Sequence, residues 1–420
     1  MKWLGAATVA LFLAAACGPS GSTASTTITF WYLAAGSQPE QAFQQAAKAF
    51  EARHPDVAIK GTLVSGQDAY AKLLAATTSG TGPDVIQINA SWTGAFAAAG
   101  GLHEFTADEM QSLGGSTAFV PAAWASSGAY KAGKTTSIPW FIDTRAVYYR
   151  TDVLEHLGIN PADAFTNWEA LDHTLTSIKT SHSIPALGIA GKNDSNPANS
   201  FAPWIWEAGG SFVTDDGKAP TVNTPLSVDG FDEYQRFGGK YVDSHVLQQT
   251  SATVESMFAA GQFAVTISGP WLASKLQGSQ FGVAPFPTGH RGHVVFAGGS
   301  NLSILTKTKH ASAALDWVRW LVSVEGQTNY VARIGMYPAL AAAADASAFT
   351  GNKFFAAFKV QIKDGRAFPT LPAWPRVESA MTPHLGQIWD DVIASGEPVA
   401  KDHLKSLLDK AAADMLAALK

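Results

Sequence analysis

Cysteine and charge are both scarce in this sequence. Cys17 is the single cysteine among 420 residues, which excludes an intrachain disulfide and a thiolate metal site in the rest of the chain. Charged residues make up 15% of the chain and the formal net charge is −5, so no basic field is present that would attract nucleic acid. The motifs H-E-x-x-H, G-x-S-x-G, G-x-G-x-x-G and the Walker phosphate loop are also absent. We therefore expect no cofactor and no metal.

A short apolar run opens the chain. Trp3 to Ala16 carries no charge but is too short for a membrane-spanning helix, which takes about 20 apolar residues. Because it follows Lys2, it predicts a secretory signal peptide over residues 1–16. Its end resembles a bacterial lipoprotein signal, in which Cys17 is acylated, although Leu13 lies four residues before the cysteine and such signals usually have Leu three before it. Residues 17–26 then form a predicted lipidated, flexible Gly/Ser/Thr tether. The alternative is a plain secretory peptide.

The remaining sequence has the composition of a large exported globular protein. The hydrophobic fraction of 46% suits an extensive core. A chain of about 400 residues is longer than a single hydrophobic core usually accommodates, so we expect two lobes. Strand-like segments alternate with amphipathic ones. TITFWYL at 27–33 precedes a predicted helix with Ser37 as N-cap and Glu40 as its capping-box partner. This alternation predicts α/β layers with mostly parallel sheets.

Five stretches, in this order, resemble the extracellular sugar-binding proteins of bacterial ABC importers, the family that includes maltose-binding protein. They are ITFWYLAAGS, GPDVIQINASWTGAFAAAGGLHEF, SIPWFIDTRAVYYRTDVLEHLGI, FAAGQFAVTISGPW and FAGGSNLSILTKTKHASAALDWVRWLV. Each motif is weak alone, but five in register behind a lipoprotein-like signal are specific. The resemblance implies a two-lobe α/β fold of the periplasmic-binding-protein type, with three hinge crossings and a ligand cleft between the lobes.

The resemblance also places the hinge crossings. They are expected near Ser137–Pro139, near Pro285–Pro287 and near Tyr337–Pro338, and each carries proline, which restrains a chain that leaves a sheet. The N-terminal lobe would then comprise residues 27–138 and 287–337. The C-terminal lobe would comprise residues 139–286 and 338–420.

Sugar recognition has a characteristic chemistry. A pyranose has an apolar C–H face that packs on an aromatic ring, and a rim of hydroxyls that binds carboxylate, guanidinium and amide groups. Several of the 13 tryptophans stand where predicted strands end or Gly/Pro turns begin. Three or four ligand contacts are expected from the set Trp31, Trp92, Trp140, Trp204, Trp206, Trp271 and Trp374. Trp271 matches a stacking tryptophan of the family, whereas Trp317 and Trp320 lie on a helical stripe and are expected in the core.

Polar ligand contacts are expected beside these rings. The resemblance gives Asp143 a hydroxyl-binding role, the alternative being an ion pair with Arg145. Arg376 either binds two hydroxyls or lies in solvent at a helix start, and Asp68 either binds ligand or caps the helix that follows it. The other predicted contacts are Gly36, Ser37, Gln67, Ser91, Asn199, Ser268, Gly298, Gly299 and Ser300. Gly298–Ser300 are interpreted as a small-residue loop that approaches the ligand or as a tight turn.

The resemblance implies a monomer that captures a di- or oligosaccharide by cleft closure and delivers it to the permease of an ABC importer. Acylated Cys17 would hold it on the outer face of the cytoplasmic membrane. Two alternatives remain open. The same fold would bind an anionic ligand such as a glycerophosphodiester, for which Arg376 alone offers itself, or the chain is a cell-surface carbohydrate-active enzyme, which needs two paired carboxylates. His290 and His293 are a weak candidate for a metal pair.

Overall fold

A computed structural model describes residues 25–66, 68–181 and 183–420. The predicted signal peptide, Cys17, all of the predicted tether except its last two residues, and Gln67 lie outside these ranges. None of the helices within them combines the length and hydrophobicity that a bilayer-spanning segment needs.

The strands form two sheets, one in each lobe. They are β1 (Thr26–Leu33), β2 (Val57–Val64), β3 (Val85–Asn89), β4 (Ile138–Thr144), β5 (Ala146–Arg150), β6 (Leu187–Gly188), β7 (Val265–Ser268), β8 (Phe281–Ala284), β9 (Val295–Ile304), β10 (Tyr337–Pro338) and β11 (Gly365–Arg366). In the described residues the first sheet has the order β10-β4-β9-β3-β1-β2, with β11 paired to β9. The second sheet has the order β6-β7-β5-β8.

Both sheets are mixed, so the prediction of mostly parallel sheets is wrong. β1 is parallel to β2 and β3, but β9 is antiparallel to both β3 and β4, and β5 is antiparallel to β7 and β8. The reason is topological. β9 returns from the second lobe into the first, so it runs against the strands that lead out of the first sheet.

Helices cover both sheets. Those of seven or more residues are α1 (Pro39–Glu51), α2 (Ala69–Ser79), α3 (Trp168–Ser181), α4 (Pro197–Glu207), α5 (Pro225–Gln235), α6 (Ser251–Ala259), α7 (Ala311–Val322), α8 (Phe355–Gln361), α9 (Trp374–Ser395) and α10 (Lys401–Leu419). Shorter helical segments include Ala90–Trp92, Thr93–Ala98, Ala107–Ser112, Pro121–Trp124, Thr151–His156, Pro161–Ala164, Phe237–Lys240, Ser244–Leu247, Pro270–Lys275, Gln327–Val331, Ala341–Asp345 and Ser347–Thr350.

The apolar face of helix α1 was predicted from the sequence, but its N-terminal cap was not. Ala42, Phe43, Ala46, Ala47 and Phe50 recur at spacings of three and four and bury one face of the helix. The predicted capping box is wrong. The helix begins at Pro39, which suits the first helical position, and Gln38 occupies the N-cap without a side-chain hydrogen bond.

Aromatic side chains fill the core of each lobe. In the first lobe Trp140 stacks on Tyr330 with ring centroids 4.4 Å apart. In the second lobe Trp204 stacks on Tyr234 at 5.6 Å. Trp317 and Trp320 are buried against each other at 5.5 Å, which confirms their predicted core positions. Several large indoles thus stabilise the two halves separately.

The chain passes between the sheets near, but not always at, the expected places. β4 belongs to the first sheet and β5 to the second, so the first passage is at Arg145 rather than at residues 137–139. The second passage lies between β8 and β9, an interval that contains Pro285 and Pro287. β10, the expected third crossing, pairs with β4 in the first sheet. The assignment of the remaining residues to lobes stays a prediction.

Candidate functional site

A cleft of about 1430 Å³ lies between the two lobes. Its first wall contains the carboxyl ends of β1 and β3 together with parts of β4 and β9. Its second wall contains β7, α6, the start of α4 and the start of α9. Ligands of open α/β sheets bind beyond the carboxyl ends of parallel strands, and here that edge faces the other lobe.

Trp271 stands on the second wall in a fixed orientation. Its Nε1 donates a 2.6 Å hydrogen bond to Oε1 of Glu255, and the Ser268 hydroxyl donates to the same oxygen at 2.8 Å. The other carboxylate oxygen accepts from Lys275 Nζ at 2.8 Å. Because the Glu255 side chain is only 9% exposed, these charge-assisted bonds hold a buried carboxylate that in turn positions the indole.

Arg145 lies against Trp271 where the chain passes between the sheets. The centre of its guanidinium is 4.7 Å from the indole centroid, a cation–π contact. It also forms an ion pair with Asp143, the alternative given for Asp143 from the sequence. Burial lowers the pKa of Arg145, and the carboxylates of Asp194 and Glu255 oppose that shift, so the guanidinium remains charged.

Asp194 adds a further carboxylate to the second wall, just before α4. It accepts hydrogen bonds from the hydroxyls of Ser200 at 2.5 Å and Ser251 at 2.9 Å, and from the backbone N–H of Asn196 at 3.0 Å. Asn199, in the first turn of α4, lines the cleft beside it. The start of α4 therefore presents polar groups to the cleft.

The first wall carries an aromatic pair. The half-buried ring of Trp92 packs edge-to-face on Tyr70, with centroids 5.2 Å apart, and stacks on Phe96 at 6.3 Å. Both Tyr70 and Trp92 line the cleft, as does Ser91. Aromatic surface is thus available on the first wall as well as at Trp271 on the second.

Gly298, Gly299 and Ser300 lie inside strand β9 rather than in a loop or tight turn, which corrects their interpretation from the sequence. Gly299 has φ +134°, and a Cβ there would lie 2.1 Å from the carbonyl oxygen of Phe141 on the paired strand. Glycine is required for that close pairing. The hydroxyl of Ser300 is buried and accepts from Gln87 Nε2 at 2.8 Å.

The start of helix α9 forms one edge of the cleft. Its cleft-lining residues are Pro375, Arg376, Glu378, Ser379, Ala380 and Thr382, whereas Val377, Met381, Leu385 and Ile388 face the core. Arg376 is exposed, and its Nε donates to the carbonyl oxygen of Ala418 at 3.2 Å. Burial raises the pKa of Glu378 to about 7.

A hydrogen bond joins the two lobes beside the cleft. The hydroxyls of Ser37, just before α1, and Ser274, in the helical segment Pro270–Lys275, share a hydrogen bond with 2.8 Å between their oxygens. Ser37, predicted as an N-cap and a ligand contact, therefore lines the cleft and bridges the lobes.

This architecture agrees with comparisons to known proteins. The chain matches the family of bacterial extracellular solute-binding proteins over residues 34–328, more than half of its length. The chain belongs to this family. The resemblance inferred from five sequence stretches is thereby confirmed at the level of the family.

The relatives of this solute-binding protein are distant in sequence but similar in fold. The diacetylchitobiose binding protein DasA of Streptomyces coelicolor is 24% identical over 384 residues, which cover 86% of this chain and 84% of the relative. The sugar-binding protein MalE of Xanthomonas citri has a TM-score of 0.80 at 20% identity, covering 93% of this chain and 97% of that one. A Thermotoga lettingae solute-binding protein bound with α-D-tagatose has a TM-score of 0.79 at 20% identity, covering 94% and 100%. The predicted two-lobe fold is confirmed.

Most of the predicted contact residues that the structure describes come together in the cleft of this solute-binding protein. They are Gly36, Ser37, Ser91, Trp92, Asp143, Asn199, Ser268, Trp271, Gly298, Gly299, Ser300 and Arg376. Their roles as ligand contacts stay predictions. Ser268 and Ser300 already bind Glu255 and Gln87, so we expect them to support the cleft rather than to reach far into it.

Five of the seven candidate tryptophans do not line the cleft, namely Trp31, Trp140, Trp204, Trp206 and Trp374. Trp140, Trp204 and Trp374 are each 0% exposed and do not line the cleft. Their indoles pack inside the lobes, Trp374 for instance on Phe368 with centroids 4.8 Å apart. Trp206 is buried as well. The sequence criterion, a tryptophan near a strand end or a Gly/Pro turn, selected these core indoles together with the cleft residues Trp92 and Trp271.

Asp68 also differs from its predicted role as a ligand contact. Asp68 sits at the N-cap of α2 without a side-chain capping bond and is exposed outside the cleft lining. His290 pairs with Glu169 and His293 lies by Glu207, and the described ranges contain no group of three or more His, Cys, Asp or Glu suited to a metal ion.

Sequence reasoning missed several cleft residues, namely Tyr70, Asp194, Glu255 and Glu378. One signal was available for Glu255. It lies on the apolar face of α6 with Val254 and Phe258, where a carboxylate needs buried partners. Asp194 and Glu378 had no comparable signal, because their position depends on how α4 and α9 meet the cleft.

Proposed function

We propose that this solute-binding protein binds a neutral saccharide, a di- or oligosaccharide, in the cleft between its lobes. The observation that carries the proposal is the arrangement at Trp271. A partly exposed indole, fixed by Glu255 and flanked by the Arg145–Asp143 pair, combines an aromatic platform with polar groups at its edge. A pyranose requires that combination of an apolar face and hydrogen-bonding partners for its hydroxyls.

The wall opposite supports the same ligand class. Trp92 and Tyr70 supply aromatic surface from the first lobe, so a sugar in the cleft would contact both lobes at once. A ligand that contacts both lobes selectively stabilises the closed state. Moving the lobes from mostly open to mostly closed takes about 5.5 kcal/mol of differential binding, and a micromolar ligand provides about 8 kcal/mol in total. The names of relatives, such as diacetylchitobiose binding protein and maltotriose-binding protein, favour saccharides too.

The charges of the cleft favour a neutral ligand over the anionic alternative. Its cationic side chains are Arg145, Lys275 and Arg376, and the first two are already paired with Asp143 and Glu255. Asp194 adds negative charge, and Glu378, whose pKa is about 7, adds more as the pH rises. A glycerophosphodiester would rely on Arg376 and would meet these carboxylates, so its binding would be opposed.

The transport role extends this proposal. The closed, sugar-loaded monomer would dock on the permease of an ABC importer, and acylation of Cys17 would keep it on the outer face of the membrane. Delivery and anchoring rest on membership of the family and on the N-terminal sequence. Mass spectrometry of the membrane-bound protein would detect the acyl group on Cys17, and a mature N-terminus without Cys17 would contradict the anchor.

A thermal-shift panel tests the ligand class. Residues 25–420 would be heated with millimolar mono-, di- and oligosaccharides and with glycerophosphodiesters, and a ligand at 100 times its Kd stabilises by about 2.7 kcal/mol. We expect a rise in Tm for one group of neutral saccharides. A rise with glycerophosphodiesters alone would favour the anionic alternative, and conversion of a bound oligosaccharide to smaller sugars would favour the enzyme alternative.

A further inference from the structure

Glu378 differs from the other carboxylates of the cleft. Asp143 is paired with Arg145, Asp194 accepts three hydrogen bonds, and Glu255 accepts from Ser268, Trp271 and Lys275. The Glu378 carboxyl lines the same cleft, yet within the described part of the chain no donor reaches it. Glu378 is partly buried, and a carboxylate that loses water without gaining donors is unfavourable. A ligand that supplies donors therefore gains affinity by satisfying it.

The helix that carries Glu378 directs it to the cleft. Pro375, Glu378, Ser379 and Thr382 follow one another at helical spacing along the cleft-lining stripe of α9. A neighbouring stripe of the helix, which includes Trp374, Val377 and Met381, is anchored in the core and fixes the rotation of the helix. Glu378 therefore occupies a rigid element, which favours a specific contact.

We propose that Glu378 is a specificity-determining ligand contact, whose carboxylate accepts hydrogen bonds from two neighbouring hydroxyls of the bound saccharide. The inference rests on the proposed function and names one residue that selects the sugar. A carboxylate accepts two hydroxyl donors with charge assistance, and a sugar without that pair of hydroxyls leaves it unsatisfied. Discrimination of this kind exceeds that of an apolar pocket.

Ionisation of Glu378 then couples sugar binding to pH. Its pKa of about 7 in the free protein is raised by burial. Arg376 on the same helix binds the Ala418 carbonyl, and on the adjoining α10 Asp414 is engaged by His384. From the loop before α4, Asp194 lines the same cleft and is held by the hydroxyls of Ser200 and Ser251. Tyr70 lines the cleft from α2. Because the ionised form binds the hydroxyls, affinity should rise as pH increases through 7.

Titration calorimetry with a saccharide from the panel tests this. Wild type and Glu378→Gln would be compared at pH 6, 7 and 8, with Glu155→Gln, an exposed glutamate on the segment Thr151–His156 outside the cleft lining, as matched control. A group with a pKa of 7 is about one tenth ionised at pH 6 and about nine tenths at pH 8, so wild-type affinity should increase up to about tenfold. The control should follow wild type.

Glu378→Gln should bind about tenfold more weakly than wild type at pH 8 and lose the pH dependence, because an amide accepts hydrogen bonds without charge assistance. Equal affinity and equal pH profiles for wild type and Glu378→Gln would overturn this inference and leave the proposed function standing. Wild-type affinity that falls with pH would overturn it as well. If no saccharide binds the wild type at any pH, the proposed function and this inference both fail.

Discussion

Trp271 and Glu255 are joined by a 2.6 Å hydrogen bond between the indole Nε1 and a buried carboxylate oxygen. This bond makes the orientation of the Trp271 ring depend on Glu255, which lines the same cleft. Ser268 and Lys275 complete the bonding of that carboxylate. The orientation of the Trp271 ring therefore depends on the negative charge of Glu255.

Replacing Glu255 by Gln should weaken sugar binding without unfolding the protein. The amide keeps the shape but loses the charge-assisted bonds to Trp271 and Lys275, which are worth about 1.5–3 kcal/mol when a partner is charged. We expect at least a tenfold rise in Kd by calorimetry and a change in Trp fluorescence. Glu155→Gln serves as control, and an unchanged Kd for Glu255→Gln would show that Glu255 does not position the ring.

Gly299 is expected to tolerate no side chain. Gly299→Ala places a Cβ 2.1 Å from the Phe141 carbonyl at φ +134°, so the pairing of β4 and β9 must shift and the free energy of unfolding should fall by about 2 kcal/mol or more. Gly386→Ala is the matched control. Apart from the backbone of helix α9 itself, no atom of the described residues lies within 4 Å of the new Cβ, so stability should rise by up to about 1 kcal/mol. Equal denaturation midpoints for the two variants would contradict this assignment.

Trp204 should affect stability and leave sugar affinity unchanged. Its side chain is fully buried and its Nε1 has no hydrogen-bond partner in the described residues, so Trp204→Phe removes packing but no polar bond. A loss of about 1–3 kcal/mol in the free energy of unfolding is expected, measured by denaturant titration. If Trp204→Phe lowers the affinity for sugar and leaves the stability unchanged, Trp204 is a ligand contact and this prediction is wrong.

Glu378 should also set a pH dependence of stability in the ligand-free protein. Its pKa is raised on folding, from about 4.3 when unfolded to about 7, so ionisation destabilises the folded state. That penalty is absent below pH 4, grows between the two pKa values and is complete above pH 7. Glu378→Gln should raise Tm by about 4 °C at pH 8 and by less at pH 5. An equal shift at both pH values would contradict this.

Most of the fold could be predicted from the sequence, because helical periodicity and strand-like runs occur in the order that the family resemblance implies. Helix α1 was identified from the spacing of Phe43, Ala46, Ala47 and Phe50. The direction of the strands within each sheet could not be predicted from the sequence. Whether β9 runs with or against β3 depends on the lobe from which it returns, and local pattern carries no such information.

The candidate site could be predicted from the sequence only in part, because local sequence pattern does not show which residues face the cleft. Trp92 and Trp271 were distinguishable from Trp317 and Trp320, which lie on a helical stripe. They were not distinguishable from Trp140 and Trp204, since the same strand ends and turns border the core and the cleft. Glu378 reaches the cleft through the packing of α9, and Asp194 through the loop that leads into α4, which no short motif encodes.

The central claim, that a saccharide is held in the cleft by Trp271, is tested most directly by calorimetric titration of the best saccharide into wild type and Trp271→Ala. We expect one binding site per chain for the wild type and no measurable binding for the variant, with an unfolding transition close to that of the wild type. Binding of the same sugar by Trp271→Ala with unchanged affinity would contradict the account.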